Sequence, residues 1–250
     1  MKLDRVTRQL LGSILLSVTL LSLNKGFAKE FILGVEAVSY YPLFDFSTND
    51  VSKPSFTKEL LSQFFESHNY QYRFLPLPIK RFDKWFTEEG IDFKFPDNVR
   101  WRESNPLNIV YSEPVVKLMA GAFVLKKNAD MPRDKVRKLG TILGFVPTLW
   151  IEEINRGDVV LMEEYSPLSV VKHLLYGNVE ATNIDENVIR FNLAQLDREG
   201  EIVLNKAIKH EVFAYHLSSV KYPEIIKEFN QYLRENKEAI EQLKKKYHIK

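Results

Sequence analysis

The sequence predicts an α/β protein built as two successive units, each a mostly parallel sheet flanked by helices. Three observations carry this expectation. Strand-like and helix-like runs alternate almost throughout the chain after residue 28. The 250 residues are 45% hydrophobic and 27% charged, the composition of one large or two small globular domains. Cysteine is absent, so stability must come from burial in a core and not from disulfides.

Taking the chain in order, Lys2, Arg5 and Arg8 precede an apolar run from Leu10 to Leu23, and Gly26 and Ala28 place small residues before a cut after Ala28. This is the pattern of a cleaved secretory signal. The run of 14 residues falls short of the roughly 20 that span hydrocarbon. Removing residues 1–28 leaves 31 of the 35 basic and 32 of the 33 acidic residues, a net charge of −1. With no block of five like charges, nothing recommends nucleic acid or an anionic membrane as a partner. An exported chain without an N-terminal cysteine for a lipid fits a freely diffusing periplasmic protein, and no later apolar stretch reaches spanning length.

The first unit opens with a strand over Phe31–Val35, followed by a helix over Thr57–Ser67 whose Leu60, Leu61, Phe64 and Phe65 share one face. A strand over Tyr70–Leu75, a helix over Ile79–Glu88 closed by Gly90, and a strand over Ile91–Phe95 complete a βαβαβ unit. Such a unit places a site at the carboxyl ends of its strands. Ile109–Leu125 reads as a long extended stretch interrupted at residues 111–114. The second unit has strands at Thr141–Val146, Val159–Met162, Val179–Thr182 and Ile202–Ala207 and helices at Leu149–Arg156 and Glu186–Leu196. Between them Ser166 caps a helix with Pro167 in its first turn and Gly177 at its end. After a strand at Val212–His216, two amphipathic helices, Pro223–Arg234 and Lys237–Lys246, turn Ile225, Ile226, Phe229, Leu233, Ile240 and Leu243 inward.

Several short motifs fall in a telling order. Glu36 and Tyr40-Tyr41-Pro42-Leu43 follow the first strand; Leu77-Pro78-Ile79-Lys80-Arg81 precedes Gly90-Ile91-Asp92-Phe93. Then come Arg100-Trp101-Arg102-Glu103, Tyr111-Ser112-Glu113-Pro114, Leu139-Gly140 leading to Thr148, and Gly177-Asn178-Val179-Glu180-Ala181 with Asp185 four residues on; Lys246-Tyr247 ends the last helix. In this order they resemble the bacterial extracellular solute-binding proteins of the amino-acid type, family 3. The resemblance implies a two-lobed periplasmic binding protein-like fold of type II with a two-strand hinge. Lobe one would be residues 29–117 and 213–250, and lobe two residues 118–212. It further implies capture of a small polar, amino-acid-like ligand in the cleft, as a monomer without cofactor, for an inner-membrane ABC permease or a membrane sensor.

By the same resemblance Arg102 would hold a ligand carboxylate through the two parallel donors of its guanidinium. Glu36 and Asp185 would face the ligand, Asp185 accepting from its ammonium; Thr148 would add a hydroxyl, and Tyr40 or Tyr41 would pack on the ligand body. Each residue also has a plainer reading: Arg102 as a solvated arginine, Asp185 and Thr148 as helix caps, the tyrosines as loop packing. Arg100 competes with Arg102, because about three extra residues separate Arg102 from Ser112. Pro96-Asp97-Asn98 stands where the family commonly carries hydroxyls, and Asp97 beside a carboxylate site opposes a simple anion by like-charge repulsion, which leaves a ligand other than a standard amino acid open.

For catalysis the chain offers little. It has no thiol, its five histidines lack zinc-binding spacing, and no GxSxG or phosphate-cradling glycine loop occurs. The enzymatic alternative on this fold is a dehydratase of the cyclohexadienyl dehydratase kind, with a cleft carboxylate among Glu36, Asp97 and Asp185 as acid or base.

Overall fold

The computed structural model describes residues 29–47, 54–102, 104 and 106–250. The expected leader with its cleavage site and the position of Glu103 lie outside the described residues. No helix among the described residues is long and apolar enough to cross a membrane.

The first sheet grows from the predicted βαβαβ pattern. β1 (Glu30–Glu36) runs into a small hairpin of β2 (Ser39–Tyr40) and β3 (Phe44–Asp45), then α1 (Phe56–Ser67) and β4 (Gln71–Leu77). A 3-10 turn (Ile79–Lys84) leads into the short α2 (Trp85–Glu88) and on to β5 (Phe93–Asp97). β1 and β5 pair in parallel, Leu33 opposite Phe93 and Val35 opposite Phe95, and β4 flanks β1 on the other side. Leu33, Gly34, Val35 and Glu36 of β1 are buried in succession, as expected of a strand covered on both faces.

β6 (Val110–Tyr111), β7 (Val116–Ala120) and β8 (Phe123–Leu125) follow, the last already in the second sheet with β9 (Lys138–Ile142). Then come α3 (Ile151–Arg156), β10 (Val160–Glu164), α4 (Pro167–Leu175), β11 (Ala181–Thr182), α5 (Glu186–Ala194) and β12 (Ile202–Leu204). The strand order is β10-β9-β11-β8-β12, parallel from β10 to β11 and antiparallel at β8. β13 (Glu211–Ser219) returns to the first sheet, and α6 (Pro223–Glu235) and α7 (Lys237–Lys246) end the chain. One half of β13 pairs with β5 and β6, the other with β7 through Tyr215–Val116 to Glu211–Ala120. β7 and β13 are thus two antiparallel strands by which the chain passes between the sheets.

The amphipathic faces pack as their periodicity demands. Leu60, Leu61, Phe64 and Phe65 of α1, Ile225, Ile226, Phe229 and Leu233 of α6, and Ile240 and Leu243 of α7 are buried in one cluster, with the Phe64 and Phe229 rings 4.9 Å apart. Several predicted elements have other bounds, among them the strand expected over Ile202–Ala207, which ends at Leu204, and two of the differences bear on the site. Instead of one helix over Ile79–Glu88, the first turn is 3-10, and side chains bond its carbonyls: the Trp85 indole donates to Pro78 O at 3.3 Å and Lys94 Nζ to Phe82 O at 3.3 Å. The strand expected over Thr141–Val146 stops at Ile142. Gly144 adopts a φ of +90°, and its Cα lies so close to Ile79 that a Cβ would sit 3.1 Å from the Ile79 Cβ. Residues 143–147 therefore form a loop that lines the space between the sheets.

Candidate functional site

Between the two sheets lies a cavity of about 340 Å³. From the first sheet, the end of β1 contributes Glu36, the β2 hairpin Tyr40, the 3-10 turn before α2 Lys80 and Phe82, and the segment after β5 Asn98, Arg100 and Trp101. From the second come the loop Gly144–Leu149 with Thr148, and Asn183 and Asp185 just beyond β11; the crossing strands add Met119, Phe213 and Tyr215. The position at the carboxyl ends of β1, β5, β9 and β11 is the one the strand pattern implies.

Local structure aims these groups. Asn98 Oδ1 accepts from the Arg100 backbone N–H at 2.8 Å while its Nδ2 donates to Ala214 O at 2.6 Å, so the turn carrying Arg100 and Trp101 is tied to β13. Aromatic rings form a wall: Phe82 and Trp101 lie 5.4 Å apart, Trp101 and Tyr215 5.6 Å, and Phe213 and Tyr215 5.5 Å. Tyr40 stands edge-on to Phe145 at 5.2 Å, and its hydroxyl accepts from the Asp185 backbone N–H at 2.7 Å.

Glu36 is buried, and its Oε2 has no hydrogen-bond partner. Burial pushes its carboxyl up to about 8; the Lys94 ammonium pulls against this and Asp97 adds to it. Asp185 is also buried, and burial raises it to about 6 against hydrogen bonds from the Asn187 side chain and from the backbone of Asn187 and Met119. Its Oδ1 accepts from Asn187 N at 2.8 Å, capping α5, so Asp185 caps a helix and lines the cavity at once. Burial holds the Tyr40 and Tyr215 hydroxyls well above the ordinary phenol range, keeping both neutral donors. A second cavity acceptor, Asn183 Oδ1, is likewise buried without a partner.

Of the residues read from the sequence, Glu36, Tyr40, Thr148 and Asp185 line this cavity together with Arg100; Tyr41, Asp97 and Arg102 are not in its lining. Arg102 turns to Asp97, donating from Nη1 at 2.7 Å and Nη2 at 3.2 Å, and donates to the Tyr111 hydroxyl at 2.8 Å. The fork suited to a ligand carboxylate thus engages an internal one. Tyr41 packs on Phe191, ring centroids 4.3 Å apart, and on Tyr247. Thr148 begins a 3-10 turn that has no side-chain cap. The aromatic wall, Asn183 and the buried Lys94 were not singled out in the sequence. Lys94 alone carried a signal, a lysine inside the apolar alternation Phe93-Lys94-Phe95. Among the described residues no three His, Asp or Glu side chains group as a metal site.

No protein-family model matches the chain, and no curated protein matches it. Solved structures do. An ancestral arginine-binding protein bound to arginine is 16% identical with a TM-score of 0.68, the match covering 87% of this chain and 97% of that one. The substrate binding protein of an ABC uptake transporter from Streptococcus pneumoniae, with bound histidine, is 14% identical with a TM-score of 0.66 over 87% and 92%. An ancestral amino acid-binding protein, a precursor of cyclohexadienyl dehydratase, is 16% identical with a TM-score of 0.65 over 87% and 95%. At these identities the likeness speaks for the backbone: the chain adopts the two-lobed α/β fold of periplasmic binding proteins, with its cavity between the lobes.

Proposed function

We propose that this protein is a periplasmic solute-binding protein that captures a small polar ligand between its lobes for ABC-type uptake. The observation that carries the reading is the interlobe cavity lined by Glu36, a buried side chain whose Oε2 has no hydrogen-bond partner. A volume of about 340 Å³ suits one small molecule, and a buried carboxyl oxygen without a hydrogen-bond partner is costly unless a ligand supplies one. Lobe one comprises residues 29–117 and 213–250 and lobe two 118–212, with β7 and β13 as the hinge. The leader directs export, and Lys29 is the first residue of the mature, monomeric, non-catalytic protein. The cargo passes to an inner-membrane permease; a membrane sensor as receiver would use the same cleft.

The test is a thermal-shift screen with a library of amino acids, amines and small organic acids. A ligand at a hundred times its Kd stabilises by about 2.7 kcal/mol, and absence of any stabilising compound removes the solute-binding reading. One observation favours a second reading: a cavity carboxyl raised to about 8, as Glu36 is, can deliver a proton at neutral pH, as a dehydratase acid must. Conversion of a stabilising compound in the same samples would turn the binder into an enzyme.

A further inference from the structure

The charges and orphaned acceptors of the cavity narrow the ligand class, on the footing that the cavity is a solute site. Each base near it already faces an acid: Arg100 Nη2 donates to Glu211 Oε1, Lys80 Nζ lies 3.7 Å from Glu163, and Arg102 is held by Asp97. The buried polar atoms of the lining without partners are both acceptors, Glu36 Oε2 and Asn183 Oδ1. A ligand carboxylate would enter beside the Glu36 and Asp185 carboxyls and would have to share the Arg100 guanidinium with Glu211. A donor-bearing cation satisfies the orphaned acceptors and leaves every ion pair intact. The Phe82 ring already carries Lys94 over its face, while Trp101, Phe213 and Tyr215 add aromatic lining to which a cation is attracted and against which an apolar body packs.

The geometry points to a small organic amine without a carboxylate as the ligand, its ammonium on Glu36 and its body against the aromatic wall. The charges that act on Glu36 are Lys94 and Asp97; Glu36 in turn acts on the Tyr40 and Tyr215 hydroxyls, and Asp185 shares the cavity lining with it. Lys94 is occupied elsewhere, its Nζ 3.5 Å above the centre of the Phe82 ring and 3.6 Å from Asp97 Oδ2. An ammonium seated on Glu36 therefore gives a donor to a carboxyl oxygen that has no partner within the protein.

Matched pairs test this by calorimetry at pH 8.5 on the full protein: agmatine against arginine, histamine against histidine, phenethylamine against phenylalanine. At least one amine is expected to bind about tenfold or more tightly than its parent amino acid. Glu36→Gln, a neutral isostere, is expected to weaken that amine by more than about thirtyfold, the loss typical of removing one partner of a buried charge pair, with an unchanged far-ultraviolet dichroism spectrum. An amino acid binding as tightly as its amine, or tighter, overturns the inference and leaves the solute-binding reading standing. Amine affinity that survives Glu36→Gln overturns the anchor. If no amine binds, the inference fails; if nothing in the wider screen binds either, the solute-binding reading fails with it.

Discussion

The Asp97 carboxylate, wholly buried at the end of β5, accepts two hydrogen bonds from Arg102 and one at 2.5 Å from the Ser218 hydroxyl, with Lys94 at 3.6 Å. Removing a partner from a buried pair leaves a charge that water no longer solvates, the main cost of such substitutions. Arg102→Ala is therefore expected to lower stability by about 2–4 kcal/mol, a little moderated by Lys94 and Ser218, while Arg100→Ala at the more exposed Arg100 to Glu211 pair costs under about 1 kcal/mol. Urea titration of both variants checks this, and equal midpoints would contradict it. Glu36 yields a second expectation. Its carboxyl is raised from 4.5 to about 8, so the folded state binds more protons than the unfolded one between those values, and stability falls as pH rises through that window. Asp185, raised from 3.8 to about 6, acts in the same direction but only at lower pH. Between pH 6 and 8 the decline therefore belongs chiefly to Glu36. Without ligand, Glu36→Gln is expected to flatten it and to gain about 1–4 kcal/mol at pH 8, at about 1.4 kcal/mol for each tenfold change in the acid dissociation constant; a slope equal to that of the wild type would contradict the assignment.

At the scale of elements, the loop after β9 comes into close contact with the turn before α2 across the cavity. Gly144 supplies a φ of +90° that a side-chain-bearing residue adopts only with strain, and its neighbour across the cavity is Ile79, on the turn before α2. Gly144→Ala is expected to destabilise by about 1–2 kcal/mol through the backbone alone and to weaken ligand binding further, because the added methyl meets Ile79 only when the lobes are together. Equal loss of stability and no loss of affinity would show that the contact is not made on closure. Elements with strong period and caps were readable in the sequence: α7 runs over the predicted Lys237–Lys246, and Ser166 caps α4 by accepting from Ser169 N at 3.2 Å. Elements set by tertiary contacts were not. The Ile79–Glu88 helix tightened because Trp85 and Lys94 take its carbonyls, and β9 ended early at a glycine whose close neighbour is 65 positions distant in the chain. The site divides the same way. Glu36, Tyr40, Thr148 and Asp185 sit beside strand ends, where the pattern locates a cleft, whereas the engagement of Arg102 by Asp97 depends on a turn whose path the local sequence does not specify.

Across the whole molecule, few groups join the lobes around the cavity. The Tyr40 hydroxyl accepts from the Asp185 N–H, Tyr41 packs on Phe191, and Lys80 faces Glu163. At the chain's end Lys250 N–H donates to Asn187 Oδ1 at 3.0 Å and Arg190 Nη2 to His248 O at 3.1 Å, so the residues after α7 also reach α5. β7 and β13 carry the chain between the sheets as a paired ribbon, which is the hinge in the function proposed above. A ligand bridging Glu36 and the loop Gly144–Leu149 would favour the state in which these contacts form, by as much as its affinities for the two states differ. Small-angle scattering is therefore expected to show a smaller radius of gyration on saturation with the best screened ligand. Tyr40→Phe isolates the latch: its ring keeps Phe44 and Phe145 as neighbours, while the buried Asp185 N–H loses its acceptor. One neutral hydrogen bond lost at a buried donor costs about 1–1.5 kcal/mol, so affinity should fall roughly five- to tenfold. The unliganded variant should be more expanded than the wild type, because the bond exists only with the lobes together. An unchanged radius at saturation in the wild type would count against hinge closure, and an unchanged affinity in Tyr40→Phe would remove the latch while leaving the hinge in place.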